Sequence, residues 1–388
     1  MPRLAIPPSR AVADLLAARR KALGLTLRDV EKQTGELGRV IPFTTLAKIE
    51  GGVVDPGIHR LTALLRLYNL PFQTAGDLAQ VEAQAGVVPR ERDPAKLRAR
   101  GEAAWQEGKT GEALACLLAL RRVTAEIPAL TPVHQESVLA FAVIAGKLGK
   151  HHLSRLMLDE LLLQRPDRAL LVGIMVQQAS SWNALGAPDS ALAYLGGAET
   201  HLRRDSHRER GWILHQRASI QIGLQEFASA ASNLAKARRA FRTAGRPYDE
   251  GLTLCAIARL YVEQQDVTKA LRAARRAREF ASRHRFDRVR MLATIQLARA
   301  YLVGQVSEPA LVILRAMLSE SVAADDNVGR FHAHFYLWKA YAALGARSRA
   351  ELELREAVFY LRSVDEASQE AIELWGLLGS SKTGRTLR

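Results

Sequence analysis

The 388-residue sequence has two cysteines, and only 6% of its residues are aromatic. Cys116 and Cys255 each stand alone in an apolar helical pattern. That excludes a disulfide framework and any Cys/His metal spacing, and both read as small buried hydrophobes. No uninterrupted apolar run approaches the roughly 18 residues that a membrane span needs. Residues 1–9 carry prolines where a signal peptide has an apolar core. A cytoplasmic protein without a membrane partner is expected. Also missing are a Walker loop, a dinucleotide-binding loop, a nucleophile elbow and a paired-carboxylate arrangement. His332 and His334 diverge on a helix, and so do His151 and His152, so neither pair sets up a metal site. The expectation is no cofactor, no metal and no enzyme activity.

Ala, Leu and Arg dominate, and β-branched runs are rare, which points to an all-α chain. The formal net charge is +15 and the pI about 10.2. Such a field attracts polyanions, nucleic acid above all, although Arg-rich solvated helix faces would give the same number. Residues 1–90 hold 12 basic and 8 acidic side chains, so the remainder carries +11.

Punctuation divides the chain. Residues 1–85 contain short helical patterns with sharp turns. A stretch with two prolines, a glycine and alternating charges over 86–94 reads as a linker. Amphipathic helices follow over 95–379, and a Ser/Thr/Gly/basic tail over 380–388 reads as disordered. In the first region Ser9 can cap a helix that Gly24 ends, and Thr26 caps the next, with Asp29 three residues on. A loop precedes a third helix over 43–50, which Gly51-Gly52 stops. Asp55-Pro56 opens a fourth, with Leu61, Leu64, Leu65 and Tyr68 on one face.

The segments Leu23-Gly24-Leu25-Thr26-Leu27-Arg28-Asp29-Val30 and Thr45-Leu46-Ala47-Lys48-Ile49-Glu50-Gly51-Gly52, followed by Asp55-Pro56, resemble the XRE (Cro-type) helix-turn-helix family over about residues 10–72. The resemblance implies that the helix opening at Phe43 lies in the major groove of double-stranded DNA. Phe43, Thr44, Thr45 and Lys48 would then face bases, Thr26 and Arg28 phosphate, and Arg39 would assist from the loop. It also implies a structural ion pair between Arg20 and Glu50. Two departures stand out. The loop is longer by roughly residues 36–39, and the recognition helix lacks the Gln, Asn and Arg that make bidentate base contacts.

The second region repeats itself. A turn residue is followed five positions later by a small residue: Gly108 by Ala113, Gly149 by Ser154, Gly186 by Ala191, Gly223 by Ala228, Gln265 by Ala270, Gln305 by Ala310 and Gly345 by Ala350. Most units also carry a small residue seven positions before the turn. This is similar to the tetratricopeptide repeat at a period of roughly 40. About seven units are expected, forming a right-handed superhelix with a concave groove.

The repeat register places Ser180, Arg217, Arg259, Arg299 and Lys339 at one inward position, with Asn183, Gln221, Gln296, His332 and Tyr336 beside them. Such a cation ladder suits carboxylates or phosphates. Equally, the cations could pair internally, since Glu263 lies one turn beyond Arg259. A helix-turn-helix head joined to such repeats resembles the peptide-responsive RRNPP-type regulators. That implies a homodimeric transcription regulator under the control of a peptide or acidic protein bound in the groove. The alternative is a protein-interaction scaffold or adaptor whose helix-turn-helix serves dimerisation or weak DNA binding.

Overall fold

The computed structural model describes residues 8–125, 127–365 and 368–380. Among them every regular element is helical. The chain falls into two compact units, residues 1–89 and 90–388. Beyond Ser380, the tail expected to be disordered lies outside the described residues.

The first unit holds α1 (Arg10–Ala22), α2 (Leu27–Glu36), α3 (Phe43–Glu50), α4 (Gly57–Leu67) and α5 (Phe72–Ala85). Ser9 caps α1 by accepting from the Val12 amide. The Glu82 carboxylate of α5 takes the Ser9 hydroxyl at 2.6 Å and the Ala11 amide at 3.1 Å. A negative group thus sits on the positive end of α1 and ties the first helix to the last. Gly24 turns the chain at φ +68°. Thr26 and Asp29 then form a reciprocal capping box on α2. The long loop before α3 is fastened by Thr34, whose buried hydroxyl donates to Val30 O at 2.8 Å and accepts from the Ile41 amide at 3.3 Å. Leu16, Val30, Ile41, Leu46, Ile49, Leu64 and Tyr68 fill the core between the helices.

The second unit is seven antiparallel helix pairs. They are α6 (Pro94–Gln106) with α7 (Thr110–Thr124), α8 (Thr131–Lys147) with α9 (His151–Leu163), α10 (Arg168–Ala184) with α11 (Pro188–Thr200), and α12 (His207–Gly223) with α13 (Phe227–Thr243). Then follow α14 (Pro247–Glu263) with α15 (Val267–His284), α16 (Asp287–Val303) with α17 (Ser307–Ala323), and α18 (Asn327–Ala343) with α19 (Arg347–Tyr360). The helix α20 (Gln369–Ser380) packs its Ala371 and Leu374 into the core of the last pair.

Each pair turns on one left-handed residue: Gly108, Gly149, Gly186, Gln225, Gln265, Gln305 and Gly345. Five positions after each lies a buried small residue, and seven before it another in six of the seven units. These let the paired backbones approach closely. The fourth unit corrects the sequence register. Gly223 is still helical, and the left-handed residue is Gln225 at φ +62°. The small residues that meet there are Ala218 and Ala230, both fully buried, rather than Gln216 and Ala228.

The superhelix closes on itself. Helix α6 packs against α16, and the Arg288 guanidinium stands 3.7 Å from the Trp105 ring centroid. From the other end, Asp365, just before α20, meets His151 of α9.

Candidate nucleic-acid interface and ligand chamber

In the first unit α2 and α3 share an exposed face. Arg28, Arg39, Phe43, Thr44 and Lys48 are exposed on it, Thr45 is half-buried, and Leu46 and Ile49 on the opposite side of α3 are buried. The Arg28 guanidinium lies 5.7 Å from the Phe43 ring centroid, so a cation on α2 and a ring at the start of α3 steady one another. The Thr26 hydroxyl is engaged with Asp29 at 2.6 Å and holds that carboxyl below the usual carboxylate range. What Thr26 offers outward is therefore the capped amino end of α2. Pro42 precedes α3 and supplies no side-chain cap, so the first amides of that helix face outward as free donors.

Behind this face Arg20 grips Glu50 with two hydrogen bonds, Nε at 2.7 Å and Nη2 at 2.8 Å, and donates a third to Leu25 O. The side chains retain 14% and 10% exposure, so the pair is largely desolvated and bidentate. It joins the end of α1 to the end of α3 and fixes the angle at which α3 is presented.

In the second unit the first helices of the pairs surround a cavity of about 520 Å³. Asn183, Arg259, Gln296, Arg299 and His332 line it, with Ser180. Arg217, Gln221, Tyr336 and Lys339 do not. For Arg217 and Gln221 the cause is the register shift in the fourth unit. With Ala218 at the helix crossing, Ser219 takes the inward place. Arg217 turns aside to Glu199 at 2.7 Å, and Gln221 accepts from Asn233 at 2.8 Å. For Tyr336 and Lys339 the cause is α20, whose Glu370 accepts from the Tyr336 hydroxyl and whose Glu373 meets Lys339 Nζ at 2.7 Å. Arg299 donates to Glu263 at 2.8 Å. Three of the four cations in the ladder are thus paired within the chain. Arg259 makes no hydrogen bond or ion pair with any described residue.

Sequence reasoning missed Lys147 and His215, which also line the cavity. Lys147 ends α8, on the inward stripe of a repeat to which the ladder was not extended. His215 lies one turn before Ser219, so the corrected register points to it. Burial, reinforced by Lys147 and Arg259, pushes the His215 imidazole down to about 4. His332 is lowered too, by burial first. Both rings are neutral at pH 7.

Among the described residues no group of three His, Cys, Asp or Glu side chains could hold a metal ion. Likewise no helix there is long and apolar enough to cross a membrane. Cys255 is buried and its thiol is pushed up to about 12 by desolvation.

Residues 16–74 match the family model described as helix-turn-helix. No curated protein sequence matches the chain. Among solved structures, Bacillus thuringiensis PlcR in complex with the peptide PapR7 and DNA is similar at 12% identity and a TM-score of 0.42, covering 73% of this chain and 99% of that one. A second, at 12% identity and a TM-score of 0.49, is the Signal Transduction ATPase with Numerous Domains protein with a tetratricopeptide repeat sensor, PH0952, from Pyrococcus horikoshii. The likeness covers 89% of this chain and 56% of that one.

Proposed function

We propose that the protein is a DNA-binding transcriptional regulator whose repeat unit receives an anionic ligand on its concave side. The observation that carries the reading is the exposed face of the helix-turn-helix. Arg28 on α2, Arg39 on the loop and Lys48 on α3 are exposed with Phe43 and Thr44, and α3 is fixed to α1 by Arg20 and Glu50. Cations at the rim take phosphates and set the register on the duplex. Phe43, the Thr methyls and Lys48 address base edges, where apolar contact with thymine methyls and a cation near guanine carry sequence information. So short a reading surface gains specificity from two copies acting together, so we read the regulator as a homodimer on a two-fold site. It acts by binding, not by catalysis, and works in the cytoplasm. A peptide or acidic protein segment is the ligand class that the repeat architecture brings to mind; the chamber itself calls for negative charge.

A second reading, an adaptor whose helix-turn-helix serves dimerisation, is favoured by one observation: α3 offers no Gln, Asn or Arg to bases. Genome-wide mapping of bound DNA, followed by a salt titration on the recovered sites, separates the two. A regulator gives discrete sites, a steep salt dependence and a large preference over random duplex. Equal weak binding to recovered and random duplexes supports the adaptor.

A further inference from the structure

Among the described residues, the chamber of the repeat unit contains two cations without an acceptor. Arg259 on α14 and Lys147 on α8 both line it. Neither makes a hydrogen bond or ion pair with any described residue. Among the described residues, the other charged groups that face the cavity are each engaged. Arg299 is held by Glu263 at 2.8 Å, Asp249 by Arg246 at 3.0 Å, Asp365 by His151 at 3.0 Å, and Glu370 by the Tyr336 hydroxyl. A desolvated cation with no acceptor destabilises the protein that carries it. Arg259 is half-buried, and Lys147 opens onto the same hollow.

Their positions agree from a second direction. Both depress the same imidazole, His215, whose Nδ1 rests 3.1 Å from the Thr253 hydroxyl. Arg259 also lowers Lys147, after burial and Arg288. Lys147 is enclosed by protein yet its side chain is exposed, because its surface opens onto the cavity.

We propose that the chamber is a binding site for a compact dianion, a metabolite-sized molecule with two phosphate or carboxylate groups clasped between Lys147 and Arg259. This rests on the regulator reading above and makes the dianion its ligand. The cavity of about 520 Å³ has the size of a small-molecule site, which spans roughly 300–1,000 Å³. An extended acidic peptide finds little to hold, because Arg217, Arg299 and Lys339 already carry carboxylates of the chain itself. Guanidinium takes one anionic group in a bidentate grip, and the ammonium takes the second as a point charge. Burial, reinforced by those two cations, keeps His215 neutral in the empty chamber. An anion between them offsets the two cations' share of that depression, so ligand binding draws the His215 pKa upward and favours proton uptake. The charges that act on it are then the ligand, Lys147 and Arg259 close by, and the engaged Arg299, Asp249, Asp365 and Glu370 around the wall.

The test is isothermal titration calorimetry on the full chain at pH 6 with inorganic pyrophosphate and with succinate. Each is run in two buffers of different ionisation enthalpy. Saturable binding of at least one probe to a single site is expected, with proton uptake. Which probe binds tells phosphate from carboxylate chemistry. Arg259→Gln and Lys147→Met should each weaken binding at least tenfold. Lys147→Met keeps the side chain's length while removing a charge that has no partner among the described residues, so it should fold as well as the parent. Absence of binding by both probes at millimolar concentration overturns the proposal, and so does binding unchanged in both variants. If hexaglutamate binds in an Arg259-dependent way while both small dianions fail, the chamber belongs to a peptide and the proposal is wrong. A chain that selects its DNA sites but binds neither dianion refutes only this inference. One that binds a dianion but selects no DNA refutes only the regulator reading.

Discussion

His151 Nε2 lies 3.0 Å from Asp365 Oδ1, though 214 residues separate them. The contact spans the repeat unit: α9 belongs to the second pair, and Asp365 follows the seventh. With Arg288 over Trp105 it makes two long-range fastenings between elements far apart in sequence. His151→Ala should therefore lower the stability of the repeat unit by about 1–3 kcal/mol, the cost of leaving a part-buried partner unmatched. Amide exchange should speed up in α9 and α20 before it does in α14. Uniform exchange in the variant would show that the contact closes nothing.

The Arg20–Glu50 pair leads to a sharper expectation. Both side chains are mostly buried, with 14% and 10% exposure. Glu50→Ala strands a guanidinium beside the core and should cost about 3 kcal/mol. Arg20→Met with Glu50→Leu removes both charges and should recover most of that loss. Chemical denaturation of the parent, the single variant and the double variant forms the cycle that measures it.

The pH dependence of stability has a definite sign. His215 has its folded pKa lowered to about 4, against an ordinary value of 6.5. Between those values the unfolded chain binds the extra proton, so stability is fully present above pH 6.5 and falls as pH drops toward 4. The shift corresponds to at most about 3 kcal/mol at ~1.4 kcal/mol per unit. His215→Asn should flatten the urea midpoint across this window. Persistence of the full slope would assign it to other groups.

On the DNA face, Arg28 and Lys48 should behave differently. Arg28→Ala removes a phosphate contact and should weaken specific and random duplexes alike, while the salt slope falls by about 1. Lys48→Ala should cost about 1–3 kcal/mol on the preferred site alone and relax its sequence preference. Fluorescence anisotropy across a salt series with both duplexes separates the two effects.

Three turns place glutamine in the left-handed region, Gln225, Gln265 and Gln305, with φ from +56° to +62°. A side chain there is strained where glycine is not. Gln265→Gly should raise the stability of the repeat unit by up to about 1 kcal/mol, offset in part by the greater freedom of glycine in the unfolded chain. A lowered thermal midpoint would mean that the glutamine side chain contributes more than its backbone costs.

Much of the fold is legible in the sequence because its signals are local. Thr26 and Asp29 announce a helix start by spacing alone, and glycines at 24, 108 and 186 mark turns because only they adopt that backbone without strain. Gln225 is where this reasoning slips. A glycine two residues earlier is the stronger turn signal, yet the helix runs through it, since the packing of Ala218 against its neighbours decides the register and packing is not local. That two-residue error moves Arg217 into the inward set and His215 out of it. The pairing of the ladder is illegible for the same reason. Glu373 and Glu370 lie in a helix whose position over Lys339 and Tyr336 depends on the whole stack beneath it.

Most superhelices of paired helices can gain or lose a unit at little cost, because each touches only the next. Here α6 meets α16, and α9 meets the segment before α20. Inserting or deleting one forty-residue unit would slide Trp105 away from Arg288 and His151 away from Asp365. The closed contact therefore counts repeats: it forms for seven and fails for six or eight. A stack that is modular in sequence is thereby fixed in number, and the hollow it encloses has one size.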